Sequence, residues 1–308
     1  MPEFDAPRSI GNRISLIHSL RLWRQAGNSW WSLGRQTWKA YRENNCDARS
    51  AQFAYYSLLA FFPLLILLIA AVAHLPWQGI VENAIDTADH GLPDNVAELL
   101  KRQVVDIQQH STLGLLGASL MVLAVAGSRV FLTITDGLNA AYGVRETRRF
   151  WQVYGLAFLS TVAVSLLVLI AMTLMIVGPL LSGWLTDQEF RIVWLEVLLR
   201  RGVRWLVVCA ALWIYTSTIY CLGPSLRLPW YWLSPGCVLA TAGWVIVTQG
   251  FRIYVENFGN YNQTYGALGG VIVLIIWLDL TGAVLLLGGH LNAVLDRARR
   301  EDPAGRRP

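Results

Sequence analysis

Charge is scarce in this chain, and the patterns that announce catalysis are missing. Only 15% of its 308 residues are charged, against roughly a quarter in soluble domains. The five histidines, His18, His74, His90, His110 and His290, show no HxE, HxH or HExxH spacing. That removes the usual zinc-hydrolase and nuclease signatures. There is no G-x-S-x-G elbow and no phosphate-binding G-x-x-x-x-G-K-S/T loop, so neither a serine hydrolase nor a nucleotide-driven motor is written here. Four cysteines, Cys46, Cys209, Cys221 and Cys237, are scattered without a CxxC pair. They supply neither a metal site nor a disulfide framework. No metal and no cofactor are expected. The first 20 residues lack a long apolar core and a small-residue cleavage site, so no cleavable signal peptide is expected.

What is present is apolar length. Residues 51–75 run for 25 positions without an acid, lysine or arginine, and about 20 apolar residues suffice to cross the hydrocarbon of a bilayer. Six such stretches are read, at roughly 51–75, 113–135, 153–182, 204–223, 231–253 and 266–289. The second is interrupted by Ser128 and Arg129. The third is long enough to tilt, or to break near Gly178 and Pro179. The expected fold class is therefore all-α: a bundle of six transmembrane helices, with a membrane domain over 49–295. An amphipathic region over 1–48 precedes it, and a basic, disordered tail over 296–308 follows.

Lysine and arginine set the direction. Eight lie in residues 1–50, four at Arg129, Arg145, Arg148 and Arg149, one at Arg227 and five in the tail, making eighteen on one side. Seven lie on the other: Lys101, Arg102, Arg191, Arg200, Arg201, Arg204 and Arg252. The richer side is expected to be cytoplasmic, with both termini there. Arg200, Arg201 and Arg204 dissent: they are read as outer contacts to lipid head groups, the alternative being that the third and fourth spans are misplaced. The net charge of +5 thus points to membrane lipids as partners and not to nucleic acid.

In the N-terminal region, Ile10, Ile14 and Ile17 share a helix face, as do Leu16, Leu20 and Trp23, and Trp30, Trp31, Trp38 and Tyr41 follow among basic residues. Such a helix lies in the membrane surface, packs on the cytoplasmic face of the bundle, or does both. In the acidic stretch 76–112, Pro93 to Ile107 reads as a short helix over the outer mouth.

Ionisable groups within apolar spans are costly and mark function by default. Arg129 and Asp136 share one face of the second span, and Asp279 and His290 share one face of the sixth. Counted from the outer ends, their depths match as Arg129 with Asp279 and Asp136 with His290. Two charge-complementary pairs are therefore expected, either joining the helices or lining a polar path to which Asn139 and Asn292 belong. Snorkelling of Arg129 and an interfacial position for Asp136 and His290 are the alternatives. Gln52, Tyr55, Tyr56 and Ser57, followed by Pro63, are a candidate gate, or an interhelical polar face within an aromatic belt. Tyr261, Asn262 and Tyr265 are candidate outer head-group contacts. Gly266, Gly269 and Gly270 are candidates for close helix packing.

Three segments together resemble a known family: SAQFAYYSLLAFFPLLILL at 50–68, DGLNAAYGVRETRRFW at 136–151 and NYNQTYGALGGVIVLIIWLDLTGAVLLLGGHLNAVL at 260–295. In order and spacing they look like the YihY/BrkB family of bacterial inner-membrane proteins, once mislabelled as ribonuclease BN. The resemblance runs from about residue 35 to 297. It implies a six-helix protein of the bacterial cytoplasmic membrane, connected with virulence and with envelope or lipid-related transport, and does not imply nuclease activity. Two departures stand out. The family often has W-L-Y-L-S where this chain has Trp277-Leu278-Asp279-Leu280-Thr281, and G-A-E-L-N where it has Gly288-Gly289-His290-Leu291-Asn292. A role resting on that glutamate does not transfer to this chain.

Two functions follow as expectations. The first is movement of an envelope lipid or other amphipathic molecule. The second is a scaffold or regulator whose bundle anchors the N-terminal region. A lipid-modifying enzyme built on Ser128, Asp136 and His290 is a minor third. A homo-oligomer or an envelope protein partner is compatible with each.

Overall fold

The computed structural model describes residues 30–74, 113–185, 193–226, 228, 233–257 and 261–301. Its elements are helices: α1 (Trp30–Glu43), α2 (Cys46–His74), α3 (Leu113–Tyr142), α4 (Phe150–Leu185), α5 (Val193–Leu222), α6 (Pro235–Asn257) and α7 (Tyr261–Glu301). No strand occurs among the described residues. Five segments are long and apolar enough to span a bilayer: Cys46–Leu67, Leu116–Tyr142, Phe150–Leu167, Pro235–Tyr254 and Gly270–Ala298. Val208–Leu222 of α5 is a shorter apolar helix. The region expected as an outer-mouth helix and the first 29 residues lie outside the described residues.

Several expectations are corrected. α4 runs unbroken through Gly178 and Pro179. The boundaries at 48/49 and 295/296 fall inside α2 and α7. Residues 296–301, expected as disordered tail, continue α7 to Glu301, and Arg297 donates there to the Ala141 carbonyl at 3.3 Å.

Hydrocarbon offers no hydrogen bonds, so each polar side chain in a span must find its own. Four threonines do so within their helices. Thr133, Thr161, Thr218 and Thr281 donate to the carbonyls of Arg129, Ala157, Ile214 and Trp277, one turn back.

Packing is uneven along the bundle. α2 lies chiefly against α3 and α7, and α6 lies along α7. The buried core gathers at one end, around Tyr41, Phe53, Phe131, Ile134, Leu138, Ile219, Tyr220, Leu285 and Leu286. Toward the other end, Phe62, Met121, Val125, Leu159, Leu166, Ile246, Ile253, Ile272 and Ile276 are exposed. Lipid tails cover such residues at no cost, since they are as apolar as leucine. The packed end also carries Arg42, Arg49, Arg145, Arg148, Arg149 and Arg297.

α7 has 41 residues, about 60 Å of helix against about 30 Å of hydrocarbon. It therefore projects beyond the membrane. At the packed end α1 covers it, Leu33 joining Leu291, Val294 and Leu295 in one cluster. Burying a leucine of this kind is worth roughly 2 kcal/mol relative to water.

Candidate functional site

The polar centre of the packed end is built where α1 ends and α2 begins. Asn45 takes a left-handed conformation, φ 51°, which asparagine tolerates and which reverses the chain after α1. The reversal places Asn44 and Cys46 against the fully buried His290 of α7. His290 Nδ1 lies 2.8 Å from the Leu286 carbonyl. A carbonyl only accepts, so Nδ1 carries the proton. Nε2 is then the acceptor, facing Asn44 Nδ2 at 3.2 Å and Cys46 Sγ at 3.4 Å. The Tyr41 ring meets the imidazole edge-on, with centroids 6.0 Å apart. Burial raises the Tyr41 phenol well above its ordinary value, so this group stays neutral.

Asp279 sits one step further into the bundle. Ser50 of α2 donates to its Oδ1 at 2.6 Å. The expected pairs are not formed: Asp279 is held by a hydroxyl and not by Arg129, and His290 is held by Leu286, Asn44 and Cys46 and not by Asp136. Arg129 and Asp136 are both exposed on α3. Arg49 of α2 packs beside Gly137, the neighbour of Asp136.

The two asparagines serve local structure. Asn139 accepts from the Ser225 amide at 2.7 Å and donates to Glu146 at 3.2 Å, tying two connecting segments together. Asn292 completes the cap of α6. Its Oδ1 accepts from the Gly236 amide at 2.8 Å, while Ser234, before Pro235, accepts from Cys237 and from Asn292 Nδ2.

The candidate gate lies on the start of α2. Gln52 and Tyr55 are exposed, Tyr56 and Ser57 half-buried, and the two tyrosine rings meet edge to face. Pro63 sits inside a helix that continues to His74. Arg200, Arg201 and Arg204 belong to α5 and not to a loop. Tyr261, Asn262 and Tyr265 form the first turns of α7. The side chains of these six, and the surroundings of Gly266 and Gly269, lie outside the described residues. Gly270 does not mediate close packing, since a Cβ there meets nothing within 4 Å. The close approach is elsewhere on α7. A Cβ at Gly288 would lie 2.5 Å from the Gly236 carbonyl, and one at Gly282 would lie 2.8 Å from the Phe53 ring.

Sequence reasoning missed Asn44, Cys46, Ser50, Tyr220 and Arg148. Tyr220 donates to the Leu285 carbonyl at 2.6 Å, joining α5 to α7. Arg148 donates to the carbonyls of Leu222 and Gly223, at 2.8 and 2.6 Å, and to Glu146, at 2.8 Å. It thereby closes the end of α5. The Asn44-Asn45 doublet was a usable turn signal; nothing in the sequence pointed to Ser50 as the partner of Asp279.

The hydrogen bond from Arg148 holds the Glu146 carboxyl down at about 2. A carboxyl depressed by folding stabilises the fold above its ordinary value of 4.5 and loses that contribution as pH falls toward about 2. Glu146→Gln is expected to cost about 1 kcal/mol at neutral pH. In melting curves of the detergent-solubilised protein, the gap to wild type should close as pH drops through that window.

Long apolar helices packed at one end, with hydrogen-bonded polar groups inside the spans, define a polytopic α-helical membrane protein. Among the described residues, no group of three histidine, cysteine or acidic side chains is placed to hold a metal. The chain belongs to the family described as virulence factor BrkB, which it matches over residues 37–308. It is 31% identical over 271 residues to the ribonuclease-like protein YfkH of Bacillus subtilis, covering 86% of this chain and 96% of that protein. It is 25% identical to a UPF0761 membrane protein of Alkalilimnicola ehrlichii, over 83% of this chain and 56% of the relative. With a UPF0761 membrane protein of Xanthomonas campestris the identity is 24%, over 90% and 64%. The chain thus spans only part of the UPF0761 relatives. No solved structure matches it significantly.

Proposed function

We propose that this protein moves an amphipathic envelope molecule of the lipid class across the bacterial cytoplasmic membrane, which it crosses six times with both termini inside. The arginine-rich packed end supports the orientation, and α5, with its shorter apolar stretch Val208–Leu222, supports a sixth crossing. The observation that carries the proposal is Asp279, a half-buried carboxyl inside an apolar span, held by the Ser50 hydroxyl at 2.6 Å. A carboxyl at that depth is expensive, and a neutral hydroxyl offsets little of the cost of its charge. Such a group is suited to work on a polar passenger. The buried hydroxyls of Thr135 and Thr241, without a partner in the structure, add polar capacity to the neighbouring helices. No catalytic role is assigned, and the word ribonuclease in a relative's name is not carried over.

The test is fluorescent phospholipid in proteoliposomes, with dithionite quenching the outer leaflet. Wild type is expected to expose both leaflets to quenching and Asp279→Ala only the outer one. A second reading, a scaffold, is favoured by α1, which is seated firmly on α7 with its other face outward. Wild type indistinguishable from empty liposomes would favour it.

A further inference from the structure

α1 carries a face that the packed core does not use. Trp31, Arg35, Trp38 and Arg42 recur at helical spacing, so they form one stripe. Trp31 is 84% exposed and Trp38 53%, and both arginines are exposed. The opposite side, Leu33, Thr37 and Tyr41, is buried. α1 therefore cannot rotate the stripe inward without unpacking.

Its inclination follows from two contacts. Tyr41 meets His290, and Leu33 clusters with Leu291, Val294 and Leu295. From Leu33 to Tyr41 is about 12 Å of α1, while His290 to Leu295 is at most about 7 Å of α7. α1 thus runs across α7 more than along it. Since α7 crosses the bilayer, α1 lies toward the membrane plane. Its level is also fixed: Asn44 and Asn45 join it to α2, whose span begins at Cys46. At the same end Phe150 and Trp151 stand 60% and 81% exposed beside Arg149, so exposed aromatics and arginines recur at this level.

Tryptophan settles at the head-group boundary, with an apolar ring and one N–H donor, while arginine binds phosphate. Trp38 is fixed by stacking on Tyr41, centroids 5.6 Å apart and planes 6° apart. On the flank, Lys39 is paired with Glu43 at 3.7 Å, so the basic character of the helix concentrates on the stripe.

We propose that the Trp31, Arg35, Trp38 and Arg42 face of α1 binds the head groups of anionic phospholipids in the leaflet at the packed end. This holds for a transporter and a scaffold alike, so its failure and that of the transport reading are separable.

The test uses the full chain in nanodiscs containing phosphatidylcholine and phosphatidylglycerol. Tryptophan quenching by either lipid in brominated form, and by aqueous acrylamide, is measured for wild type and for a Trp31→Phe, Trp38→Phe double variant. The difference isolates the two indoles. It is expected to be quenched by brominated lipid, shielded from acrylamide, and quenched several-fold more by brominated phosphatidylglycerol than by brominated phosphatidylcholine. Arg35→Gln with Arg42→Gln should abolish that preference while the helical signal and elution volume stay unchanged. A difference signal open to acrylamide and untouched by brominated lipid would overturn the proposal, because the face would then meet water or a soluble protein. Equal quenching by both lipids in wild type would overturn it as well.

Discussion

Gly288→Leu is expected to separate α6 from α7 and to leave little folded protein. Gly288 is where the two backbones come closest. Even the Cβ of alanine would lie 2.5 Å from the Gly236 carbonyl and 2.6 Å from the Tyr220 hydroxyl. The first neighbour is backbone and cannot swing aside. The second is the group that donates to Leu285, so moving it breaks a buried hydrogen bond. Displacement also disturbs the cap that Asn292, one turn on, provides to α6. Overpacking alone costs about 1–3 kcal/mol, and loss of the two polar links adds roughly 1 kcal/mol each. Gly288→Ala should therefore lower stability by about 3 kcal/mol, and leucine by more. Gly117→Ala and Gly270→Ala are the controls. A Cβ at either meets nothing within 4 Å, so both should be neutral or gain up to about 1 kcal/mol of helix propensity. Thermal melting in detergent separates the two groups; equal effects would contradict the packing described.

His290→Ala is expected to cost about 3–4 kcal/mol, as a cavity plus stranded polar groups. The imidazole is completely buried, and its removal leaves the Asn44 side-chain amide and the Cys46 thiol without their partner, while the Leu286 carbonyl keeps only its helical bond. It also takes away the edge on which the Tyr41 ring rests, and with it part of the seat of α1. The signature is coupling. Asn44→Leu and His290→Leu together should cost less than the sum of the single changes, because an apolar pair leaves fewer stranded donors. Strict additivity in melting free energies would show that the two side chains act independently.

Five of the six expected spans were legible because length and apolarity alone decide them. The partners inside them were not. Depth counted from the outer ends matched Arg129 to Asp279, but α7 begins at Tyr261, earlier than its apolar stretch, and the tight packing lies at the opposite end. Registry is set there, by Asn44 and Cys46 against His290 and by Ser50 against Asp279. Arg129 is exposed on α3, turned away from Asp279. His290 was open to reading as an interfacial side chain because α7 looked unaccompanied. It is buried because α1 folds back over it, a tertiary event that no periodicity within α7 records. The glycines were sought at 266–270, where they cluster. Close approach needs a facing small residue, and Gly236 faces Gly288.

The most direct measurement is lipid translocation by Asp279→Asn in proteoliposomes, read beside its melting temperature. Asparagine keeps an acceptor for Ser50 and nearly the same volume, so the fold should hold within about 1 kcal/mol. The account predicts that this variant melts like wild type and yet fails to expose the inner leaflet to dithionite, because the ionisable carboxyl is what the passenger requires. Wild-type translocation by a well-folded Asp279→Asn protein would contradict it.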